Sequence, residues 1–300
     1  MARFPDRLRE CSVGGHATYY IGASMSSVDS CTWRALAPLR RWRPVVHWIG
    51  SDVLYWQRGL VATEAEPRAR MSLALRRNVI RCAVHFAGAP WLANEVESLG
   101  IPVTFVPVPA LLPEWNPPPL PDRPVFLSYV PEGRETFYGW PLLEQAAKAL
   151  PSVRFLILKH KPIANAPANM EFVGSLPFAE MSEIYARATG IIRLPEHDGM
   201  SMSVLEALAH GRHVIWNYPF GACRLCGRNG TDLVEQIEHC LATGTLNENA
   251  RLVLEDWRAE RSLERLVSAL EQVEQLPSPN DDWPKRVKIF LSDLASRRPV

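Results

Sequence analysis

The sequence predicts an α/β protein with parallel sheets, divided into two domains. Three observations carry that expectation. Short β-branched or aromatic runs alternate with helical stretches, the alternation occurs twice, and one proline-dense segment separates the two series. At 300 residues the chain exceeds most single cores and suits two domains of ordinary size. A net charge of +1 and a pI near 7.7 lack the basic excess of a nucleic-acid binder, so no nucleic-acid partner is expected.

In the first series, ATYYIG (17–22), PVVHWIG (44–50), CAVHFAG (82–88) and PVTFVPV (102–108) read as buried strands, being short, apolar and mostly closed by Gly or Pro. Between them, SCTWRALAPLRRW, the more basic EPRARMSLALRRN and APWLANEVESLG have helical spacing, the last closing on Gly100 as a C-cap. Strand, helix, strand in alternation implies parallel pairing with right-handed crossovers. The segment VPALLPEWNPPPLPDRPV (108–125) is too rich in proline for a helix or a central strand and reads as an extended linker. The expected division is therefore a first domain at 1–110, a linker at 111–124 and a second domain at 125–275. A helical tail at 276–300 can pack back on the first domain.

The alternation resumes with VFLSYV (125–130), VRFLILK (153–159), MEFVG (170–174), GIIRLP (190–195) and HVIWN (213–217). Helices are expected at WPLLEQAAKAL, FAEMSEIYARA and MSVLEALAHG; in the second, Met181, Ile184, Tyr185 and Ala188 recur on one apolar face. Beyond residue 231 the pattern is helical, ending in the amphipathic DDWPKRVKIFLSDLASRR, and no solenoid repeat is present. Open parallel sheets bind ligands at their carboxyl strand ends, so two such domains are expected to share a cleft there.

The start, MARFPDRLRECSVGG, lacks the apolar core of a secretory leader, and no apolar run is long enough to cross a bilayer. The expected location is cytoplasmic, with the six cysteines reduced. Cys223 and Cys226 follow His210 and His213, but a turn and a buried strand part the two pairs and no second CxxC exists, so no metal site is expected. Trp42, Trp48 and Trp56 read as packing residues.

The chemistry points to LPEHDGMSMSVLEALAHGRHVIWN (194–217), a strand end, an acidic turn and a helix. Ser201 or Ser203 can cap that helix, whose start carries unpaired N–H groups and a partial positive charge suited to phosphate. Gly199 lets the backbone approach a ligand closely, and Glu206 can accept hydrogen bonds from a sugar hydroxyl.

This segment resembles the E-x7-E motif of retaining glycosyltransferases of the GT-B fold, glycosyltransferase family 4 in particular. That motif is a Glu, Gly-Phe-Gly, then a helix carrying a second Glu and an Ala. Asp198, Gly199, Met200, Ser201, Glu206, Ala207 and Leu208 match in order and spacing, with Asp in the place of the first Glu. The resemblance implies two Rossmann-like domains facing a cleft. It implies that Asp198 faces the transferred sugar, that the loop and first helical residues from Gly199 through Met200, Ser201, Met202 and Ser203 contact sugar and diphosphate, and that Glu206 binds the ribose. LSYVPEGRETFYGW resembles the family's G-R-…-K-G loop, whose Arg and Lys neutralise the diphosphate: Gly133 and Arg134 match, while Tyr138 stands where the Lys would be. Lys159 or Lys161, in LKHKP, can supply the missing cation.

VVHWIGSDVLYW resembles the family's H-G-T-D segment: Gly50, Ser51 and Asp52 match, Ile49 replaces the His, and His47 shares its strand face. His47 and Asp52 are thus expected at the reaction centre. Gly14 and Gly15 precede a strand that corresponds to a later one of the standard domain, so the N-terminal domain reads as truncated. The function implied is transfer of a sugar from a nucleotide diphosphate sugar to a glycan, lipid or small-molecule acceptor, with retention and without metal or cofactor. The basic stretch RARMSLALRR reads as a solvated helix face that would touch a membrane surface were the acceptor a lipid. Two alternatives stand beside it: a degenerate relative that binds a sugar nucleotide or a partner without turnover, and a GT-B epimerase of sugar nucleotides.

Overall fold

A computed structural model of the chain describes residues 17–22, 43–54, 57, 83–276 and 288. Gly14 and Gly15, the helical segments read at 30–42 and 66–78, the amphipathic segment at 281–298 apart from Lys288, and Cys11, Cys31, Cys82, Trp42 and Trp56 lie outside the described residues. The described residues divide into two units, one drawn from the chain up to Val108 and from Ser262 onward, the other Pro109–Arg261.

The first unit holds a parallel sheet in the order β1 (Ala17–Ile21), β2 (Arg43–Trp48), β3 (Val84–Ala87) and β4 (Thr104–Phe105). The stretch 102–108, expected as one strand, pairs only over β4, because Pro102 and Pro107 have no N–H to give a ladder. Helix α1 (Pro90–Ser98) starts on a proline and closes where Gly100, at φ +75°, donates its N–H to Glu97 O.

The second unit is a six-stranded parallel sheet. In chain order it runs β5 (Val125–Tyr129), α2 (Trp140–Ala149), β6 (Arg154–Leu158), β7 (Met170–Gly174), α3 (Met181–Ala186), β8 (Gly190–Arg193), α4 (Met202–Ala209), β9 (His213–Trp216), β10 (Arg224–Leu225), α5 (Gly230–Thr243) and α6 (Ala250–Glu255). In space the order is β10-β9-β8-β5-β6-β7. The chain therefore winds outward from β5 through β6 and β7, then returns to the other flank of β5 with β8. Between β5 and β8 lies the point where the winding reverses, and at such a point the crossovers diverge and leave a crevice outside the strand ends.

These strands form because their residues are apolar on both faces, as helices on either side require. Phe126, Phe155, Ile157, Ile192 and Ile215 are buried in one cluster with Leu143 and Ala146 of α2 and Leu233 and Ile237 of α5. Gly190 allows β8 to lie close against β9: a Cβ there would meet His213 O at 2.6 Å. The stretch 178–188, expected as one helix, divides into a 3-10 turn, Phe178–Glu180, and α3, a common tightening at a helix start.

Residues 111–124 are largely irregular, as a proline-dense stretch must be, and they belong to the second unit. Arg212, fully buried, donates from Nη2 to Pro118 O at 2.6 Å and from Nη1 to Pro119 O at 3.2 Å. A last helix, α7 (Ala259–Glu274), leaves the second unit at Arg261. Its Leu266 and Val273 are buried with Val45, Phe86 and Val106, so residues 262–274, expected in the second domain, group with the first unit.

Candidate functional site

At the winding reversal of the second sheet a cavity of about 270 Å³ opens over the carboxyl ends of β5, β6, β7 and β8. Apolar side chains, among them Leu127, Leu176 and Phe178, make most of its wall, and Lys159, Arg193, Ser203 and Glu206 bring polar groups to it.

Helix α4 delivers two of these groups. Val204, Leu205, Ala207 and Leu208 are buried, which turns Ser203 and Glu206 toward the cavity. Ser201 is the residue ahead of the helix, with extended backbone, but its hydroxyl does not cap; it bonds Ser203 Oγ at 2.9 Å. The first-turn amides thus keep their partial positive charge without a side-chain acceptor. The Tyr185 hydroxyl donates to Glu206 Oε2 at 2.8 Å and fixes the carboxylate. Burial raises the Glu206 pKa, and the Tyr185 bond acts in the opposite sense.

Asp198 does not stand open. Arg193, the last residue of β8, donates from Nε to Oδ2 at 2.6 Å and from Nη2 to Oδ1 at 3.0 Å, and each side chain is 13% exposed. Burial works against the Arg193 charge, but the Asp198 carboxylate outweighs it and the guanidinium stays charged. Gly199 and Met200 are buried and Met202 is half-buried; none of the three lines the cavity.

The loop 133–139 lies against the loop 194–203. Glu196 donates its N–H to Phe137 O at 2.7 Å, and a Cβ on Gly139, at φ +78°, would meet Leu194 O at 3.0 Å. Arg134 is exposed, its guanidinium 4.2 Å from the centre of the Phe137 ring and 5.4 Å from that of Tyr138. The Glu135 carboxylate accepts from Gly133 N–H and bonds His160 Nε2, each at 2.8 Å. The His160 bond, with the Gly133 amide, pulls the Glu135 pKa down to about 2. Of the two lysines, Lys159 lines the cavity, at φ +65°, whereas Lys161 is 85% exposed with Nζ 3.5 Å from Glu132.

His47 and Asp52 belong to the first unit and are built into it. His47 is fully buried: Nε2–H donates to Val106 O at 2.8 Å and Nδ1 accepts from the Tyr19 hydroxyl. Burial lowers its pKa to about 4, which keeps the ring neutral. Asp52 accepts from Gly50 N–H at 2.8 Å and from Ile49 N–H at 3.2 Å, fastening the turn after β2. His210 bonds Ser182 and His213 bonds Thr245 O; among the described residues no group of three or more His, Cys, Asp or Glu is gathered for a metal ion. Nor is any helix among them long and apolar enough to cross a membrane.

No protein-family model matches the chain, and no curated protein matches it in sequence. Solved structures do. A sucrose-phosphate synthase from Thermosynechococcus elongatus superposes over 90% of this chain and 77% of its own, with a TM-score of 0.64 and 15% identity. The lipopolysaccharide outer core galactosyltransferase WaaB covers 85% of this chain and 75% of its own, at TM-score 0.57 and 14% identity. The GtfA/B complex covers 90% of this chain and 62% of its own, also at TM-score 0.57 and 14% identity. This is the GT-B fold. Likeness at these identities is likeness of fold, and the chemistry has to be argued from the residues.

In this GT-B chain Lys159, Ser203 and Glu206 share one cavity, Asp198 reaches it through Arg193, and Gly133 and Arg134 lie on the adjoining loop. Sequence reading missed Arg193 and the hydroxyl of Tyr185. Arg193 is the one charge in GIIRLP, and a charge closing a buried parallel strand was the available signal. Tyr185 was assigned to an apolar helix face, and nothing in its spacing marks the Glu206 bond.

Proposed function

We propose that the protein is a glycosyltransferase, similar to family 4, that moves a sugar with retention from a nucleotide diphosphate sugar to an acceptor hydroxyl and needs no metal. One observation carries the reading: the cavity at the winding reversal joins Glu206, Ser203, Arg193 and the start of α4 in a single wall. The nucleoside would occupy the apolar chamber, with Glu206 accepting from the ribose hydroxyls and Tyr185 holding the carboxylate. The diphosphate would lie at the start of α4 within reach of Arg134, and the sugar beside Asp198. In the transfer, the bond from the sugar's anomeric carbon to the diphosphate breaks with its electron pair passing to the phosphate oxygen. The acceptor oxygen forms the new bond on the same face, and its proton goes to the departing diphosphate. Cations and helix-end amides aimed at that oxygen lower the barrier. The acceptor is a glycan, a lipid or a small molecule.

The test is incubation with UDP-, GDP- and ADP-linked sugars, reading release of free nucleoside diphosphate. Slow release, accelerated by an acceptor, is expected. A second reading, binding without turnover, is favoured by the tie between Asp198 and Arg193; tight binding of a sugar nucleotide with no release would select it. Conversion of the sugar with the donor bond intact would select an epimerase instead.

A further inference from the structure

A diphosphate brings about two negative charges, and charge-assisted bonds from guanidinium are the strongest answer a protein gives to them. The loop that matches the phosphate-binding pattern offers Arg134 and, four residues on, the uncharged Tyr138. The ring of Tyr138 has a second guanidinium against it. Arg193 sits 5.5 Å from the Tyr138 centroid and 6.0 Å from that of Tyr129, while Arg134 sits 5.4 Å from the same Tyr138 ring. Two cations, one from a strand end and one from a loop, are thus gathered at one aromatic ring, and Arg193 lines the cavity that holds Ser203 and Glu206.

The alternative use of Arg193 is to pin the 194–203 loop through Asp198. That loop is already held by Asn217 Nδ2 donating to Pro195 O at 2.8 Å, by Glu196 N–H donating to Phe137 O, and by Asp198 N–H donating to the Tyr218 hydroxyl at 3.0 Å. An enclosed ion pair is a costly way to add a fourth tie. A guanidinium also has five N–H donors; the two-point bond to Asp198 takes two of them and the Tyr138 hydroxyl another. Lys159 reaches the same cavity with an exposed ammonium, which solvent screens more than it does the enclosed guanidinium.

We propose that Arg193 is the second cation of the diphosphate site, acting with Arg134 across the Tyr138 ring, and that the first task of Asp198 is to hold that guanidinium in place. Arg193 thereby occupies functionally the place that a charged residue at 138 would fill. The inference rests on the nucleotide-sugar reading for the identity of the ligand, but not for its phosphate chemistry.

Four probes separate the two: UDP, GDP, uridine and inorganic pyrophosphate, each titrated calorimetrically against the purified protein. Arg193→Gln should weaken nucleoside diphosphate and pyrophosphate binding tenfold or more while leaving uridine affinity unchanged. Adding Tyr138→Lys to that variant should restore most of the diphosphate affinity, which a structural role for Arg193 would not allow. Should Arg193→Gln fail to fold, the double variant Arg193→Gln/Asp198→Asn removes the whole buried pair and leaves no orphaned charge; it should show the same loss and the same rescue. Undiminished diphosphate binding by these variants, equal loss for nucleoside and diphosphate, or failure of the Tyr138→Lys rescue overturns the inference. Pyrophosphate binding that depends on Arg193 without any nucleotide preference upholds the inference and removes the nucleotide-sugar reading. Nucleotide binding indifferent to Arg193 does the reverse. A wild-type protein that binds none of the four overturns both.

Discussion

At the end of β2, His47 and Asp52 give their polar atoms to the first unit itself: the imidazole to Val106 and Tyr19, the carboxylate to the Ile49 and Gly50 amides. At the end of β8 and in α4, Arg193, Ser203 and Glu206 are bonded to Asp198, Ser201 and Tyr185 and also line a cavity. The residue types at the two strand ends are alike, and both sheets are parallel. What differs is the winding. The described strands of the first sheet follow one another in chain order, β1 to β4, whereas the second sheet reverses between β5 and β8 and opens a crevice. A polar side chain at a strand end is available for ligand only where the topology leaves it room.

The largest effect that tests this contrast is on folding. Replacing His47 with Ala removes a fully buried ring and both its bonds, so stability should fall by about 2–4 kcal/mol, read as a lower denaturation midpoint. Near-native stability combined with lost turnover would return His47 to the reaction centre and break the contrast. Next comes Glu206→Ala, which should weaken nucleoside diphosphate binding by about 10- to 100-fold with a minor change in melting temperature, since it removes a charged acceptor from the cavity. Collapse of the fold with residual binding intact would put Glu206 in the same class as His47.

The smallest effect sharpens the contrast through pH. Burial depresses the His47 pKa to about 4 from an ordinary value of 6.5, so the folded state binds fewer protons than the unfolded one across that interval. The stability this neutral ring contributes is present above 6.5 and is lost as pH falls toward 4. His160 has the opposite sign. Burial opposes its charge, but Lys161 O and the Glu135 carboxylate face its two nitrogens and together hold its pKa above the ordinary value. Glu132 adds to that field, and Trp140 and Phe172 pack on the ring without charge. Its contribution is full below the unfolded pKa and is lost as pH rises through the folded one, loosening Gly133 and Arg134. His160→Gln should therefore flatten the alkaline limb of a stability–pH profile and leave the fall from pH 6.5 toward 4, which His47 governs. A variant that flattens that fall instead would show the assignment reversed.

Much of the second unit was legible because its strands are short apolar runs between helices of clear period, and β5 through β9 fall within a residue or two of the runs at 125, 153, 170, 190 and 213. The Glu206 position was legible for the same reason: it is the one charged residue of an apolar helix. Three features were not. The pairing of β4 shrank because proline removes donors that composition alone cannot place in a ladder. The tie between Asp198 and Arg193 links residues five apart through a turn whose shape no periodicity encodes. The full burial of His47 was not, since strand alternation puts it on the face of Ile49 but does not say whether that face is covered.

Arg212 bears on how the chain can be divided for experiment. Proline carbonyls accept but their nitrogens cannot donate, so a proline-dense stretch docks onto a protein surface only where side chains reach out to it, and here one enclosed guanidinium does so at Pro118 and Pro119. Composition invites excision at residue 125. A fragment begun there would strip that guanidinium of both acceptors and strand a cation in the interior, whereas a fragment begun at Pro109 keeps the strap and its anchor together.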